Sequence, residues 1–201
     1  MQTWNVVRAE DTTVDAKITV DKTASMIGVV GLEDFGSAYA RTLIGAGFRV
    51  IAHDPDLNRI EPLLEAGFEG ASGVSGLAAC DAVITCLPDD AVLEPMVLGE
   101  GGLVHSMPAG SLHITLCTIS LELSRRFKAA HETAGQHYVM ALAFSAPEPK
   151  QARDVMILAT GSDEGLTRAL PLLKHCGSQI FVLNGTALET AGAAPACRPG
   201  E

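Results

Sequence analysis

A short apolar run that ends in a glycine turn constrains this chain more than any other feature. Residues 26–30 are apolar, and the next six residues, GLEDFG at 31–36, pass directly into a helix-like pattern. In a strand–turn–helix unit of this kind, the start of the helix directs backbone N–H groups at an anion such as a pyrophosphate. The sequence therefore predicts an α/β fold with a dinucleotide-type turn after its first core strand.

The middle position of this turn departs from the full dinucleotide fingerprint GxGxxG. Gly31 suits the tight turn and Gly36 suits close packing of helix on strand, but Glu33 replaces the glycine that lets the backbone approach a pyrophosphate. A carboxylate and a phosphate charge ~4 Å apart repel by roughly 4 kcal/mol at an effective dielectric constant of about 20, or about a thousandfold in affinity. The segment is a dinucleotide turn that has lost affinity, one that still binds, or a structural turn of another α/β fold.

Strand-like and helix-like patterns alternate along residues 26–184. The patterns predict strands at 26–30, 49–53, 82–87, 112–116, 155–159 and 180–183, and another that begins at 138. Helices are expected at 35–46, 59–66, 91–98, 121–134 and around 166–173. This alternation implies parallel pairing with helices on both faces. The expected fold is a Rossmann-type doubly wound sheet, whose ligands bind beyond the carboxyl ends of the strands.

The segments that flank this single domain have a different character. Residues 1–25 form an N-terminal extension in which Val14, Ala16, Ile18 and Val20 alternate with polar residues. That pattern is consistent with either one edge strand or a disordered extension. Residues 185–201 are rich in Ala, Gly and Pro, as in a short loose tail. The chain thus divides into an extension at 1–25, a Rossmann domain at 26–184 and a C-terminal tail at 185–201.

Composition argues against several classes of function. The 201 residues are 47% hydrophobic and carry a formal net charge of −10, so we expect a well-packed core and no nucleic-acid partner. The sequence lacks an apolar run of about 18 residues and a secretory signal, so we expect no membrane span and a cytoplasmic location. The five cysteines and six histidines have no metal-ligand or nucleophile spacing, and the cysteines fit thiols of a reducing compartment.

Further candidate residues should lie at the same edge of the sheet as the glycine turn. Asp54 closes the second core strand, where a carboxylate either accepts hydrogen bonds from a ribose and favours NAD over NADP, or forms a turn before a proline. Leu87 and Pro88 follow one of the next strands and Thr118 follows another, so these residues should face the crevice. Ser120 either bonds a ligand or caps the helix that follows it.

Three motifs, in this order and spacing, resemble the β-hydroxyacid dehydrogenases, which include 3-hydroxyisobutyrate dehydrogenase, 6-phosphogluconate dehydrogenase and the related imine reductases. They are IGVVGLEDFGSAYARTLIGAGFRVIAHDPD at 27–56, DAVITCLPDD at 81–90 and GSLHITLCTISLELSRRFKAAHETAGQHYV at 110–139. The resemblance implies hydride transfer between NAD or NADP and a small hydroxyl- or imine-bearing substrate. The cofactor-binding residues that it implies are Gly31, Leu32, Glu33, Asp34, Phe35, Gly36, Asp54, Leu87, Pro88 and Thr118.

The chain also departs from that family. The resemblance implies a substrate loop with a serine after the strand that begins at Tyr138, where this sequence has Phe144. It also implies a catalytic lysine on a long helix, and then an all-helical domain, whereas this chain has no lysine after Lys174 and ends at Glu201. General acid–base help is worth about 10²–10⁴ in rate. We therefore expect little or no catalysis by this chain alone, and assign it no catalytic and no metal-binding residue.

These observations are compatible with several functions. The first is an oxidoreductase domain that needs a protein subunit to supply the helices and the lysine. The second is a pseudoenzyme, a non-catalytic Rossmann module that binds a nucleotide or a protein. The third is a truncated or mis-joined gene product, and a methyltransferase domain is a further α/β alternative.

Overall fold

The computed structural model describes residues 5–8, 25–145 and 155–184. The strands of the described part are β1 (Asn5–Arg8), β2 (Met26–Val30), β3 (Arg49–His53), β4 (Glu69–Gly70), β5 (Ala82–Thr85), β6 (Leu112–Thr115), β7 (His137–Ser145), β8 (Val155–Gly161) and β9 (Gln179–Asn184). They form one sheet in the order β1-β9-β8-β7-β6-β5-β2-β3-β4. The helices are α1 (Asp34–Gly45), α2 (Leu57–Leu64), α3 (Asp90–Leu98), α4 (Leu103–Ser106), α5 (Leu121–Thr133) and α6 (Asp163–Leu173), with a 3₁₀ turn at Val74–Leu77.

The predicted doubly wound α/β fold is confirmed, with helices on both faces of the sheet. One face packs against α1, α2 and α6, which contribute Leu43, Leu63 and Leu173 to a continuous apolar core. The other face packs against α3, α4 and α5, which contribute Leu93, Leu103 and Phe127 to a second core. Each fully buried side chain of this size stabilises the fold by roughly 1.5–3 kcal/mol relative to an exposed one.

The sheet is not parallel throughout. Parallel pairs join β6 to β7, β5 to β6, β2 to β5, β2 to β3 and β3 to β4, as the alternation of strands and helices predicts. The expectation of parallel pairing is wrong for β7 and β8, which pair antiparallel over seven residues. A second antiparallel pair joins β1 to β9 at the opposite end of the sheet from β4. These departures lie on the β7–β1 side, away from the glycine turn.

The structure describes one strand within the flanking segments. Strand β1 (Asn5–Arg8) lies in the N-terminal extension and pairs with β9 at the edge of the sheet. The alternating residues 14–20, which favour either an edge strand or a disordered extension, lie outside the described part of the chain, as do residues 185–201. The division of the chain at residues 25 and 184 stays a prediction.

Side-chain caps fix the starts of the helices that border the crevice. The predicted N-cap Ser120 is confirmed, because its Oγ accepts a hydrogen bond from the N–H of Leu123 at 3.2 Å. Gly135 follows the same helix with φ of +69°, in the left-handed region that favours glycine. Asp89 caps α3 by accepting from the N–H of Val92 at 2.9 Å. Helix α3 continues through Pro95 to Leu98, so this proline does not shorten it.

A hydrogen-bond network between buried side chains joins β5, β6 and α5. The hydroxyl of Thr85 lies 3.1 Å from Nε2 of His113, and Nδ1 of His113 lies 2.8 Å from Nε2 of His131. Nδ1 of His131 lies 2.7 Å from the amide oxygen of Gln136. Both histidines are fully buried, and burial lowers the pKa of His131 to about 4. Both rings are therefore neutral at pH 7.

The amide of Gln136 determines which atoms donate and which accept in this network. Its nitrogen donates to the backbone carbonyls of Val104 and Met107, at 3.1 and 2.6 Å, so its oxygen must accept from His131. His131 then carries its proton on Nδ1 and accepts at Nε2 from Nδ1–H of His113. The hydroxyl of Thr85 donates to the remaining nitrogen of His113.

Candidate functional site

The predicted site residues converge at one edge of the sheet. Strand β2 lies between β3 and β5, and the chain crosses from one side of β2 to the other between them, which makes this position the topological switch point. The carboxyl ends of β3, β2, β5 and β6 lie side by side here. Ligands of doubly wound sheets bind in the crevice outside these ends.

The turn after β2 requires glycine at its first and last positions. Gly31 has φ of +85°, and a Cβ there would overlap the carbonyl group of Cys86. Its N–H donates to the carbonyl of His53 at 3.0 Å, which fastens the turn to β3. A Cβ at Gly36 would overlap the carbonyl oxygen of Gly31. These two positions therefore have the roles that the sequence predicts for a tight turn and for close packing of α1 on the sheet.

The backbone at Glu33 does not require glycine. This residue is the N-cap of α1 with φ of −61° and ψ of 174°, an ordinary extended conformation. Its side chain makes no capping hydrogen bond to the first turn of α1. Instead its Oε1 lies 2.7 Å from Nη2 of Arg59, near the start of α2. The carboxylate is therefore directed towards α2, and the repulsion expected at this turn is offset by a cation.

Asp54 is almost completely buried behind the glycine turn. Its side chain is 2% exposed, and its Oδ2 accepts the N–H of Leu32 at 2.7 Å. Its Oδ1 accepts the N–H of Asp56 at 2.8 Å, an Asx turn of the kind expected before a proline. Nη1 of Arg59 lies 3.6 Å from the same carboxylate. Asp54 therefore joins the turn to the α2 segment; its contact with a ribose stays a prediction.

An open cavity of about 720 Å³ lies beside this turn, lined by Leu32, Glu33, Ser37, Ala38, Arg41 and Arg59. Small-molecule sites commonly have volumes of about 300–1,000 Å³. Partial desolvation lowers the pKa of Arg59, but the neighbouring Asp54 and Glu33 carboxylates outweigh that effect and raise it. The cavity thus combines two guanidinium groups with the carboxylates that surround Arg59.

A second carboxylate ties two predicted cofactor loops together. Asp90, at the start of α3, accepts the N–H of Ser120 on both oxygens, at 3.1 and 3.2 Å. This contact holds the segment after β5 against the segment after β6. Leu87 is buried beside Gly31, whereas Pro88 and Thr118 are exposed at the crevice.

The other predicted residues of the turn have different environments. Leu32 is buried and Phe35 is 36% exposed. Asp34 begins α1, and only its backbone is described. Sequence reasoning missed Arg59 and Asp90 as site residues. The motif DPDLNR does place Arg59 three residues after Asp56 on a helix, which is a recognisable ion-pair spacing.

The described residues hold no cluster of three or more His, Cys, Asp or Glu side chains arranged to bind a metal ion. Burial raises the pKa of each of the four described thiols: to about 12 for Cys80 and Cys176, to about 11 for Cys117, and well above its ordinary value for Cys86. Thiols with such pKa values are protonated at pH 7. None of the helices in the described ranges has the length and hydropathy that a bilayer crossing requires.

Comparison with known proteins agrees with this geometry. Residues 26–185 match the family model described as the NAD binding domain of 6-phosphogluconate dehydrogenase. The chain is 33% identical over 170 residues to the uncharacterized oxidoreductase YfjR of Bacillus subtilis, covering 84% of this chain and 59% of that protein. It is 30% identical over 158 residues to 3-hydroxyisobutyrate dehydrogenase of Pseudomonas aeruginosa, covering 77% of this chain and 52% of that protein.

The solved structures agree at the level of the fold. An imine reductase from Myxococcus stipitatus in complex with NADP+ has a TM-score of 0.70 at 19% identity, covering 83% of this chain and 59% of that one. The family match and the fold together define an NAD(P)-binding domain of the Rossmann type. The chain belongs to the β-hydroxyacid dehydrogenase family, through the NAD binding domain of the 6-phosphogluconate dehydrogenase type. It spans about half to three-fifths of the length of the two curated relatives.

Proposed function

We propose that this chain binds NAD or NADP along the crevice and forms the cofactor-binding part of an oxidoreductase that acts on a small hydroxyl- or imine-bearing substrate. The observation that carries the proposal is the glycine turn itself. A Cβ at Gly31 or Gly36 would overlap backbone carbonyl atoms, so both positions require glycine. The cavity beside this turn is large enough for part of a dinucleotide. Ser37 and Ala38 of α1 line the cavity, and the N–H groups of the first turn of this helix would bind the pyrophosphate.

Each segment of the crevice has a proposed role in binding. Residues 31–36 would hold the pyrophosphate, and the adenosine ribose would lie at the end of β3, beside the nearly buried Asp54. Leu87, Pro88 and Thr118 would border the nicotinamide, with Asp90 keeping their two loops at a fixed separation. A bound nicotinamide ring would accept the hydride from a hydroxyl-bearing substrate, or in its reduced form donate it to an imine. The residues of this chain would bind and orient that ring.

The charges around the cavity favour NAD over NADP. The carboxylates of Glu33, Asp54 and Asp56 all lie within 4 Å of Arg59, and Arg41 is the second cation at the cavity. Three carboxylates against two guanidinium groups leave this region with a net negative charge. An additional 2′-phosphate would be repelled here, whereas a 2′-hydroxyl would not.

A second segment or subunit would complete the catalytic site. Phe144 and Met156 face each other across β7 and β8 and are 44% and 45% exposed, and their neighbours Leu142 and Leu158 on the same face are only partly buried. Together these four side chains form an apolar strip of the kind that marks interaction sites. We propose that a helical segment carrying the proton donor covers this strip. The 201 residues alone would then bind cofactor and turn over little.

The alternative is a pseudoenzyme that keeps the fold without hydride chemistry, and the observation that favours it is Glu33 in place of glycine.

In either case we expect the cytoplasm as the location, because reduced thiols and an acidic surface suit that compartment.

Calorimetric titration with NADH and NADPH tests the proposal. We expect saturable 1:1 binding in the micromolar range, with NADH the tighter ligand. The Glu33→Gly variant serves as the matched comparison, because its backbone conformation is compatible with glycine. Failure of both proteins to bind either nucleotide, with circular dichroism showing a folded chain, would refute cofactor binding.

A separate assay distinguishes the oxidoreductase from the pseudoenzyme. The helical part of a relative, such as the remainder of the Pseudomonas aeruginosa 3-hydroxyisobutyrate dehydrogenase, would be added in trans or fused after residue 184. Oxidation of 3-hydroxy acids with NAD that appears only on this addition supports the oxidoreductase. Cofactor binding without any turnover in the fused protein would favour the pseudoenzyme.

A further inference from the structure

Arg59 lies among three carboxylates that belong to three different parts of the site. Nη2 is 2.7 Å from Oε1 of Glu33 on the glycine turn, and Nη1 is 3.6 Å from Oδ2 of Asp54 at the end of β3. Nε is 3.8 Å from Oδ2 of Asp56 at the start of α2. The guanidinium group therefore contacts Asp54 and Asp56 through Nη1 and Nε, and its Nη2 pairs with Glu33.

This arrangement determines where the Glu33 side chain goes. The backbone of Glu33 is unstrained, so nothing in the turn itself forces the side chain in one direction. As the N-cap of α1, the carboxylate could accept N–H groups of the first turn, which is the place a pyrophosphate would take. It makes no such bond and pairs with Arg59 instead. Arg59 thus keeps the Glu33 carboxylate away from the position where a pyrophosphate would bind.

We infer that Arg59 is a positioning residue that makes Glu33 compatible with cofactor binding, by holding its carboxylate against α2 and offsetting its charge. The inference rests on the proposed function, because it assigns Arg59 a role only if a dinucleotide binds at this turn. Arg59 acts through Glu33, and need not touch the cofactor itself.

Fold stability does not account for this pair. The Arg59 and Glu33 side chains are 39% and 56% exposed, and ion pairs between exposed side chains contribute little to stability. The chain offers a matched pair for comparison. Arg49 and Glu69 make an equally short contact of 2.8 Å at 50% and 54% exposure, at the opposite end of β3. Breaking that pair removes a similar interaction far from the cavity.

A double-mutant cycle measures the coupling directly. The proteins are the wild type, Arg59→Met, Glu33→Gly and the double variant, and the readout is the Kd for NADH by calorimetry. An unpaired Glu33 about 4 Å from a phosphate weakens binding by about fivefold at the dielectric constant of water, and by about a thousandfold at the effective value of about 20. We expect at least the smaller of these losses for Arg59→Met. In the Glu33→Gly background, the same change should alter the Kd by less than about twofold.

Two further variants serve as controls. Arg49→Met should leave the Kd unchanged, because its ion pair lies outside the cavity. Arg59→Lys should retain part of the wild-type affinity, because lysine keeps the charge but not the forked geometry. The coupling between positions 33 and 59 should also shrink between 50 mM and 1 M salt, since both side chains are exposed to solvent.

The possible results separate this inference from the proposed function. Equal losses from Arg59→Met in both backgrounds would mean that Arg59 contacts the cofactor directly, and would overturn the inference while cofactor binding stands. Binding by Glu33→Gly alone would also overturn it, because Arg59 would then fail to make Glu33 compatible. If none of the folded variants binds NADH, the proposed function fails and the inference falls with it.

Discussion

Acid should weaken this fold through its two buried histidines. His131 is fully buried and hydrogen-bonded at both ring nitrogens, and burial lowers its pKa from 6.5 to about 4. His113 is affected in the same direction, by burial and by the neighbouring His131. In the unfolded chain both rings return to water and regain their ordinary proton affinity. The unfolded state therefore binds more protons than the folded state at mildly acidic pH.

The size of the effect follows from the pKa of His131. Because its folded pKa is depressed, the unfolding free energy falls as the pH drops below 6.5 and continues to fall until about pH 4. Each pKa unit corresponds to about 1.4 kcal/mol, so this ring alone removes about 3 kcal/mol between pH 7 and pH 4. His113 adds to the loss, because burial and then the neighbouring His131 lower its pKa well below 6.5. A loss of this size is a large fraction of the 5–15 kcal/mol typical of a domain.

Urea unfolding of the wild type and of His131→Leu at several pH values isolates this contribution. At pH 7 the variant should be less stable, since Gln136 and His113 each lose a partner, at about 1–3 kcal/mol per unpaired group. The stability difference should narrow by about 3 kcal/mol as the pH falls to 4, because leucine does not titrate. His105→Gln, a change at an exposed histidine, is the control and should follow the wild-type profile.

A difference that stays constant from pH 7 to pH 4 would refute this reasoning. It would mean that His131 binds its proton equally well in both states. Nitrogen chemical shifts of the His131 ring offer a second readout that does not depend on the variant. They should report a neutral ring in the folded protein at pH 5.5, protonated on Nδ1 only.

Two other substitutions test the site without any ligand. Gly31→Ala should destabilise the protein by at least ~2 kcal/mol in urea unfolding, because φ is +85° and the new Cβ would overlap the carbonyl of Cys86. The control is Gly45→Ala, which should be neutral or slightly stabilising because no atom lies within 4 Å of the new Cβ. Equal effects of the two substitutions would contradict the turn geometry. Asp90→Ala should cost about 1–2 kcal/mol and accelerate amide hydrogen exchange at Ser120, because that N–H loses a charged acceptor. Unchanged exchange at Ser120 would show that the two loops are held together by other contacts.

Local patterns sufficed to predict most of the fold. The apolar runs at 26–30 and 49–53 match β2 and β3, and Ser120 caps α5 as its position before an apolar helix pattern predicts. The ends of α2 shift by two residues because Asp56 forms its N-cap, accepting the N–H of Asn58. Short elements such as β4 and α4 carry too few residues for a periodic signal.

Pairing direction and strand choice were harder to predict, because both depend on contacts distant in sequence. The composition of β7 and of β8 does not specify their antiparallel pairing. Likewise, β1 is chosen by its pairing with β9, more than 170 residues later in the chain.

The site shows the same division between local and distant information. The spacing of Gly31 and Gly36 predicts the turn, and the acidic residue at the end of β3 is found at Asp54. The sequence shows that Glu33 is a carboxylate where glycine is expected, but not that Arg59 lies 2.7 Å away to offset it. That contact joins residues 26 positions apart and depends on how α2 packs beside the turn.

Hydrogen exchange with and without NADH tests the central claim most directly. If the chain is a dinucleotide-binding domain of the β-hydroxyacid dehydrogenase family, NADH should slow exchange at residues 31–37, 87–90 and 118–120, and leave β7 and β8 unchanged. The claim would be contradicted by a folded protein in which NADH protects none of these three segments, or protects instead the apolar strip that contains Phe144 and Met156.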